Sequence, residues 1–183
     1  DLGPSDVFHA WIPLFHISGQ LHVTVASVVA GSALALFPTF SRSKFLDQVR
    51  DTGSTVMMGF ANIAEWLLAE PAGEDNAANP LRIAIVANMP ATIQRLFEAR
   101  FGVRVVDTYG MTEAEILTLP RWDAETPTGS CGPPGPDFDL AILDDDDFPV
   151  PVGRTGQIVV RPKVPDVITA GYENDAEATV AAW

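Results

Sequence analysis

The sequence is poor in several residues that would assign it to a well-marked protein class. It holds one cysteine, Cys131, which excludes an intrachain disulfide and a cysteine zinc cluster. A lone thiol fits a reducing compartment, and with no partner motif beside it Cys131 reads as a small packed side chain. Cationic residues are scarce: 11 Lys plus Arg stand against 24 Asp plus Glu, a formal net charge of −13. That balance argues against nucleic acid and anionic membranes as partners, since both would repel it. It leaves room for an anionic nucleotide in a local pocket, where a metal ion and backbone amides offset charge. No apolar run reaches the roughly 18 residues of a membrane span. Thr24 and Ser27 interrupt the longest candidate, Leu21 to Phe37. No secretory signal opens the chain, so an integral membrane segment is not expected and a cytoplasmic setting is. The first residue is Asp1 and the last Trp183, and the expectation is a piece of a longer enzyme.

What is present suits a packed core: 47% of residues are hydrophobic and 19% charged, outside the range of disordered chains. Short apolar runs alternate with helical patterns through the first two-thirds. Strands are expected at Val7–Trp11, Ala33–Phe37, Ser54–Met58, Leu81–Val86 and Val103–Thr108. Between them, a helix from about Gln20 to Ala30 would turn Leu21, Val25, Val28 and Val29 inward. A second, Ser41–Arg50, would be capped by Ser41 or Ser43 and bury Phe45, Leu46 and Val49. Ala61–Ala69 is a third. Ala91–Phe101, with Ile93, Leu96 and Phe97 inward, would stop at Gly102. The polar stretch Pro71–Pro80 reads as a surface loop. The exits of the last two strands, Ala87-Asn88-Met89 and Thr108-Tyr109-Gly110, should lie side by side if those strands pair.

The texture then changes. Pro120–Pro136 is rich in Pro and Gly; Phe138–Leu143 and Gln157–Val160 read as strands, Ile168–Tyr172 as extended and Glu173–Ala182 as helix. The acidic run Asp144–Asp147 lacks the alternating ligands and central glycine of a calcium loop and reads as a solvated turn. The fold class expected is α/β, a parallel sheet with flanking helices over residues 1–125, followed by a truncated β-rich subdomain over 126–183.

The chain is organised around Asp107-Thr108-Tyr109-Gly110-Met111-Thr112-Glu113. A strand runs straight into Gly110, which tolerates backbone angles that other residues avoid. An aromatic face, a hydroxyl and a carboxylate arrive together where open parallel sheets bind small molecules, past the carboxyl ends of strands. Thr-x-x-Glu spacing also caps helices without any further role. His16 stands at a second strand-to-helix junction, with Ser18 and Gly19 opening the helix. His9 in a strand and His22 on a helix read as structural or solvated.

Five segments stand in an order that resembles adenylate-forming (AMP-binding) enzymes: Pro13-Leu14-Phe15-His16, Tyr109-Gly110-Met111-Thr112-Glu113, Gly132-Pro133-Pro134-Gly135, Gly153-Arg154-Thr155-Gly156-Gln157-Ile158 and Gly171-Tyr172-Glu173-Asn174. The resemblance covers essentially the whole chain and is strongest to the acyl-CoA ligase branch, including the crotonobetaine/carnitine-CoA ligases. It implies an ATP-dependent acid–thiol ligase that forms an acyl-adenylate and passes it to coenzyme A. ATP, Mg²⁺ and coenzyme A are the implied cofactors, and a small carboxylic acid the substrate. By the same resemblance Tyr109 would stack on adenine. The backbone around Asp107, Thr108 and Gly110 would face the nucleotide, Thr112 would donate to the α-phosphate and Glu113 would help hold Mg²⁺. His16 would lie near the carboxylate of the acid.

Two departures stand out. Ala87-Asn88-Met89-Pro90 replaces a small glycine-rich turn, so Asn88 and Met89 would reshape the acyl and adenine pocket. Gln157 stands where Glu is common. The resemblance further implies that the lysine-bearing phosphate loop, the ribose-binding aspartate and the C-terminal domain with its catalytic lysine lie outside these residues, so the 183 residues alone should not catalyse adenylation. Two alternatives stay open: an amino-acid adenylation domain serving a carrier protein, and a non-catalytic nucleotide-binding module.

Overall fold

The computed structural model describes residues 2–73, 76–121 and 126–183. Glu74 and Asp75 of the expected surface loop, and Glu125 at the expected domain boundary, lie outside them. The chain divides into two compact units. One comprises Asp1–Tyr109 and Pro120–Gly132, the other Gly110–Leu119 and Pro133–Trp183. The crossings fall at 109/110, 119/120 and 132/133, so residues on both sides of the expected boundary near 125 belong to the first unit.

The first unit is a five-stranded sheet in the order β2-β1-β3-β4-β5, every pair parallel. The strands are β1 (Val7–Ala10), β2 (Ala33–Leu36), β3 (Val56–Phe60), β4 (Ile83–Ala87) and β5 (Arg104–Thr108). Central strands are apolar because helices cover such sheets on their faces. β1 buries Phe8, His9 and Ala10, and β3 buries Val56 through Gly59. Connections run through α1 (Ala26–Ala30), α2 (Phe45–Thr52), α3 (Ala61–Ala69) and α4 (Ala91–Phe101). Phe45 and Val49 of α2 and Phe97 and Phe101 of α4 reach the core, as does Met89. Gly102 ends α4 in the left-handed region at φ 66°, a conformation that costs glycine nothing.

Two helix faces differ from the expectation. A π-helical segment, Ser18–Val25, precedes α1. Its wider turns shift the phase of the helix, so Val23 and Ser27 face inward. Val25, Val28 and Val29 are exposed instead. In α4, Leu96 is exposed while Phe101 takes a core position. α2 opens with a 3-10 turn, Arg42–Lys44, and Ser41 makes no side-chain cap bond.

The amino ends of the strands are tied together by Asp6. Its carboxylate accepts from Gly3 N–H at 2.9 Å, Thr55 Oγ1 at 2.7 Å and the Arg82 guanidinium at 2.8 and 2.6 Å. Side-chain hydrogen bonding from Arg82 is the main reason its carboxyl lies well below the usual range.

The second unit holds two antiparallel pairs. β6 (Gly110–Met111) pairs with β7 (Glu115–Ile116), and β8 (Phe138–Leu143) with β9 (Gln157–Pro162). α5 (Ala176–Ala182) is capped by Asp175, whose side chain accepts from Ala178 N–H at 2.9 Å. Ile168–Tyr172 forms no strand.

Candidate functional site

Parallel order places the carboxyl ends of all five strands along one edge of the first unit. β4 and β5 end in register, Ala87 beside Thr108, so the two strand exits adjoin as expected. Asp107 and Thr108 are both buried. Asp107 Oδ2 accepts from Met89 N–H at 3.0 Å, which fixes the turn after β4 to the end of β5. Its other oxygen, Oδ1, is buried without a hydrogen-bond partner. Burial pushes the Asp107 carboxyl up, against the opposing pull of the Met89, Asn88 and Thr108 amides. Asn88 takes a left-handed φ of 60°. Asn is one of the few residues that tolerates this, which is how the turn dispenses with glycine. Met89 points into the core rather than into an open pocket. Tyr109 follows, half-buried, at the strand exit.

His16 stands on the same edge, beyond β1. His16 N–H donates to Pro13 O at 2.9 Å, and His16 O accepts from Gly19 and Gln20 N–H at 3.0 Å each. Gly19 is demanded by crowding, since a Cβ there would collide with the carbonyls of Ile12 and Pro13. His16 Nδ1 accepts from Ser18 N–H at 3.1 Å. The neutral ring therefore carries its proton on Nε2. The ring is exposed and meets Phe60, the last residue of β3, edge to face at 5.6 Å. Strand order reverses between β1 and β3, and ligand crevices open at such reversals. Sequence reasoning passed over Phe60; an aromatic closing a buried strand was its only signal.

In the second unit, Gly110 opens the hairpin β6–β7. Its φ is not positive, contrary to the conformational reason expected for glycine here. A Cβ would strike the Glu115 carbonyl across the hairpin, so close strand approach is what requires glycine. The Thr-x-x-Glu spacing thus builds a hairpin and not a helix cap. Thr112 is exposed at the turn. Glu113 is held twice by one segment: Tyr172 Oη donates to Oε1 at 2.5 Å, and Thr169 N–H donates to the Glu113 carbonyl at 2.6 Å. The Tyr172 bond is the leading cause that lowers the Glu113 carboxyl. An open groove of ≈ 870 Å³ beside them is lined by Glu113, Tyr172, Trp183 and residues of β8 and β9. Among the described residues no group of three or more His, Cys, Asp or Glu side chains is placed to hold a metal ion.

A profile of the AMP-binding enzymes matches residues 1–172. The chain belongs to the AMP-binding enzyme family. It is similar to a sulfoacetate–CoA ligase of Cupriavidus necator, 32% identical over all of this chain and 35% of that protein. A crotonobetaine/carnitine–CoA ligase of Salmonella paratyphi B is 31% identical over 99% of this chain and 35% of its own length. The chain thus spans about a third of the curated relatives it matches. Among solved structures, ATP-bound MatB from Rhodopseudomonas palustris superposes with a TM-score of 0.85 at 26% identity, over 98% of this chain and 35% of that one. A benzoate CoA ligase from Burkholderia xenovorans, at 23% identity and a TM-score of 0.86 over 98% of this chain and 37% of its own, shares the fold. No helix among the described residues is long and apolar enough to cross a membrane.

The family's candidate residues are thus distributed over both units. His16, Asp107, Thr108 and Tyr109 belong to the first, and Gly110, Thr112 and Glu113 to the second. The sequence pattern had given Tyr172 no task, although it stands in one of the five segments that carry the resemblance.

Proposed function

We propose that the intact protein is an AMP-forming acyl-CoA ligase. A carboxylate oxygen of the substrate acid attacks the α-phosphorus of ATP and pyrophosphate leaves. The sulfur of coenzyme A then attacks the acyl carbon, and AMP departs with the bonding pair. The observation that carries this reading is the Asp107–Glu113 segment: a buried strand end followed at once by a hairpin exposing Thr112 and holding Glu113 at the edge of a groove.

Each residue has a task suited to its surroundings. Tyr109 offers a flat face for adenine, with the backbone of Asp107, Thr108 and Gly110 beside it. Thr112 donates its hydroxyl to the α-phosphate, where negative charge builds in the transition state. His16, with its proton on Nε2, donates to the carboxylate of the incoming acid and orients it for attack. Glu113 suits Mg²⁺: a single ionised carboxylate with one oxygen not taken by Tyr172 matches an ion that prefers one or two carboxylates plus phosphate and water. When bound, Mg²⁺ offsets the charge of two anions brought together. The acid is an organic one with some apolar part, met by Phe15 and Phe60 near His16. The single Cys131 supports a reducing, cytoplasmic setting.

Glu113→Gln in the intact protein should lower Mg²⁺-dependent, acid-dependent ATP–pyrophosphate exchange by about 10²-fold. Exchange assayed over a panel of carboxylic acids identifies the substrate. Unchanged exchange in the variant removes Glu113 from the site.

A further inference from the structure

We propose that Tyr172 is a positioning residue that holds the Glu113 carboxylate in place for its cation; this rests on the reading of Glu113 given above. The argument is geometric. Tyr172 Oη donates to Glu113 Oε1 at 2.5 Å, which restrains the carboxylate beside the groove that both residues line. The same segment holds the backbone of Glu113, through Thr169 N–H to its carbonyl at 2.6 Å. Main chain and side chain are therefore set by residues only a few positions apart.

Tyr172 is itself anchored. Thr179 Oγ1 on α5 accepts from Tyr172 N–H at 2.9 Å and donates to the Asp175 carbonyl at 2.8 Å. Gly171 lies against that threonine at φ 116°, and a Cβ there would come within 2.7 Å of Thr179 Cγ2. Asp175 caps the helix that carries Thr179. A chain of bonded groups thus leads from the cap of α5, through Thr179 and Tyr172, to one oxygen of Glu113. The phenol donates to the ionised carboxylate, and this bond also lowers the carboxyl's pKa. A hydrogen-bonded ligand carboxylate is the usual way a supporting residue tunes a metal site.

The test is the Mg²⁺ dependence of ATP binding to the intact protein, measured calorimetrically with no acid present, beside thermal melting. Tyr172→Phe keeps the ring and removes only the donor. It should raise the Mg²⁺ concentration for half-maximal binding by about tenfold or more, with ATP affinity recovered at saturating Mg²⁺. Glu113→Gln should raise it further, and adding Tyr172→Phe to Glu113→Gln should change nothing more. If Glu113→Gln shifts the Mg²⁺ requirement and Tyr172→Phe does not, the positioning role is overturned and the reading of Glu113 stands. If Tyr172→Phe lowers only the melting temperature, or acts equally without the carboxylate, the role is overturned as well. If Glu113→Gln leaves the requirement unchanged, the reading of Glu113 fails and this proposal falls with it.

Discussion

Among Trp11, Phe37 and Phe45, at ring distances of 5.4, 4.5 and 5.1 Å, His9 is 1% exposed. Burial pulls its pKa down to about 4. The unfolded chain takes up this proton near pH 6.5 and the native chain only near 4, so stability is intact above pH 6.5 and falls as pH drops through that window. The loss amounts to at most about 3 kcal/mol by pH 4. Urea titrations of the intact protein at several pH values between 7 and 4 check it. His9→Phe should flatten the pH dependence, and an unchanged slope would show that another group is responsible. Asp6 works in the same sense but in a lower window. Its carboxyl is depressed, foremost by the Arg82 hydrogen bond, so its stabilisation is present above the ordinary carboxylate range and disappears as pH falls below about 4. Asp6→Asn leaves the Arg82 guanidinium without its anion. With Arg82 partly exposed, the cost at pH 7 is about 2 kcal/mol, readable as a lower urea midpoint.

At the scale of elements, the alternation of strands and helices was legible because parallel strands buried on both faces are short, apolar and separated by stretches of helical periodicity. Gly31, Gly53 and Gly102 all close helices at positive φ, which punctuates the pattern. Helix phase was less legible. Leu21, Val25, Val28 and Val29 form a good stripe at α-helical spacing, but the π-helical turns at Ser18–Val25 shift the phase, and Val23 and Ser27 turn inward instead. Nothing in residue type announces a π turn. The candidate site was legible where it follows a strand, at Asp107–Glu113 and at His16. Tyr172 was not, because its partner Glu113 lies 59 residues earlier. Crowding at Gly19 gives a direct test. Gly19→Ala should lower stability by about 2 kcal/mol and shift the Pro13–Gly19 turn that carries His16. Gly3→Ala, where a Cβ meets nothing within 4 Å, should be close to neutral. Equal melting temperatures for the two variants would mean that the turn relaxes at little cost.

Across the 183-residue chain, net charge and exposed apolar surface oppose each other. Val28 is 77% exposed and Val29 83%. Leu36 is also exposed on β2, an edge strand of the five-stranded sheet. An open parallel edge flanked by apolar side chains invites association. A net charge of −13 resists it, but only over the screening length, which shrinks from about 30 Å at 0.01 M salt to about 8 Å at 0.15 M. The 183-residue chain should therefore self-associate increasingly as salt is raised, the reverse of what attraction between opposite charges would give. Light scattering across a salt series measures this. Val28→Lys with Val29→Lys places cations on the apolar face without touching the core, since neither valine is buried. The pair should suppress the salt-driven increase, although it lowers the net charge and on charge grounds alone would promote association. Scattering that rises as steeply in the double variant would show that a different surface carries the contact.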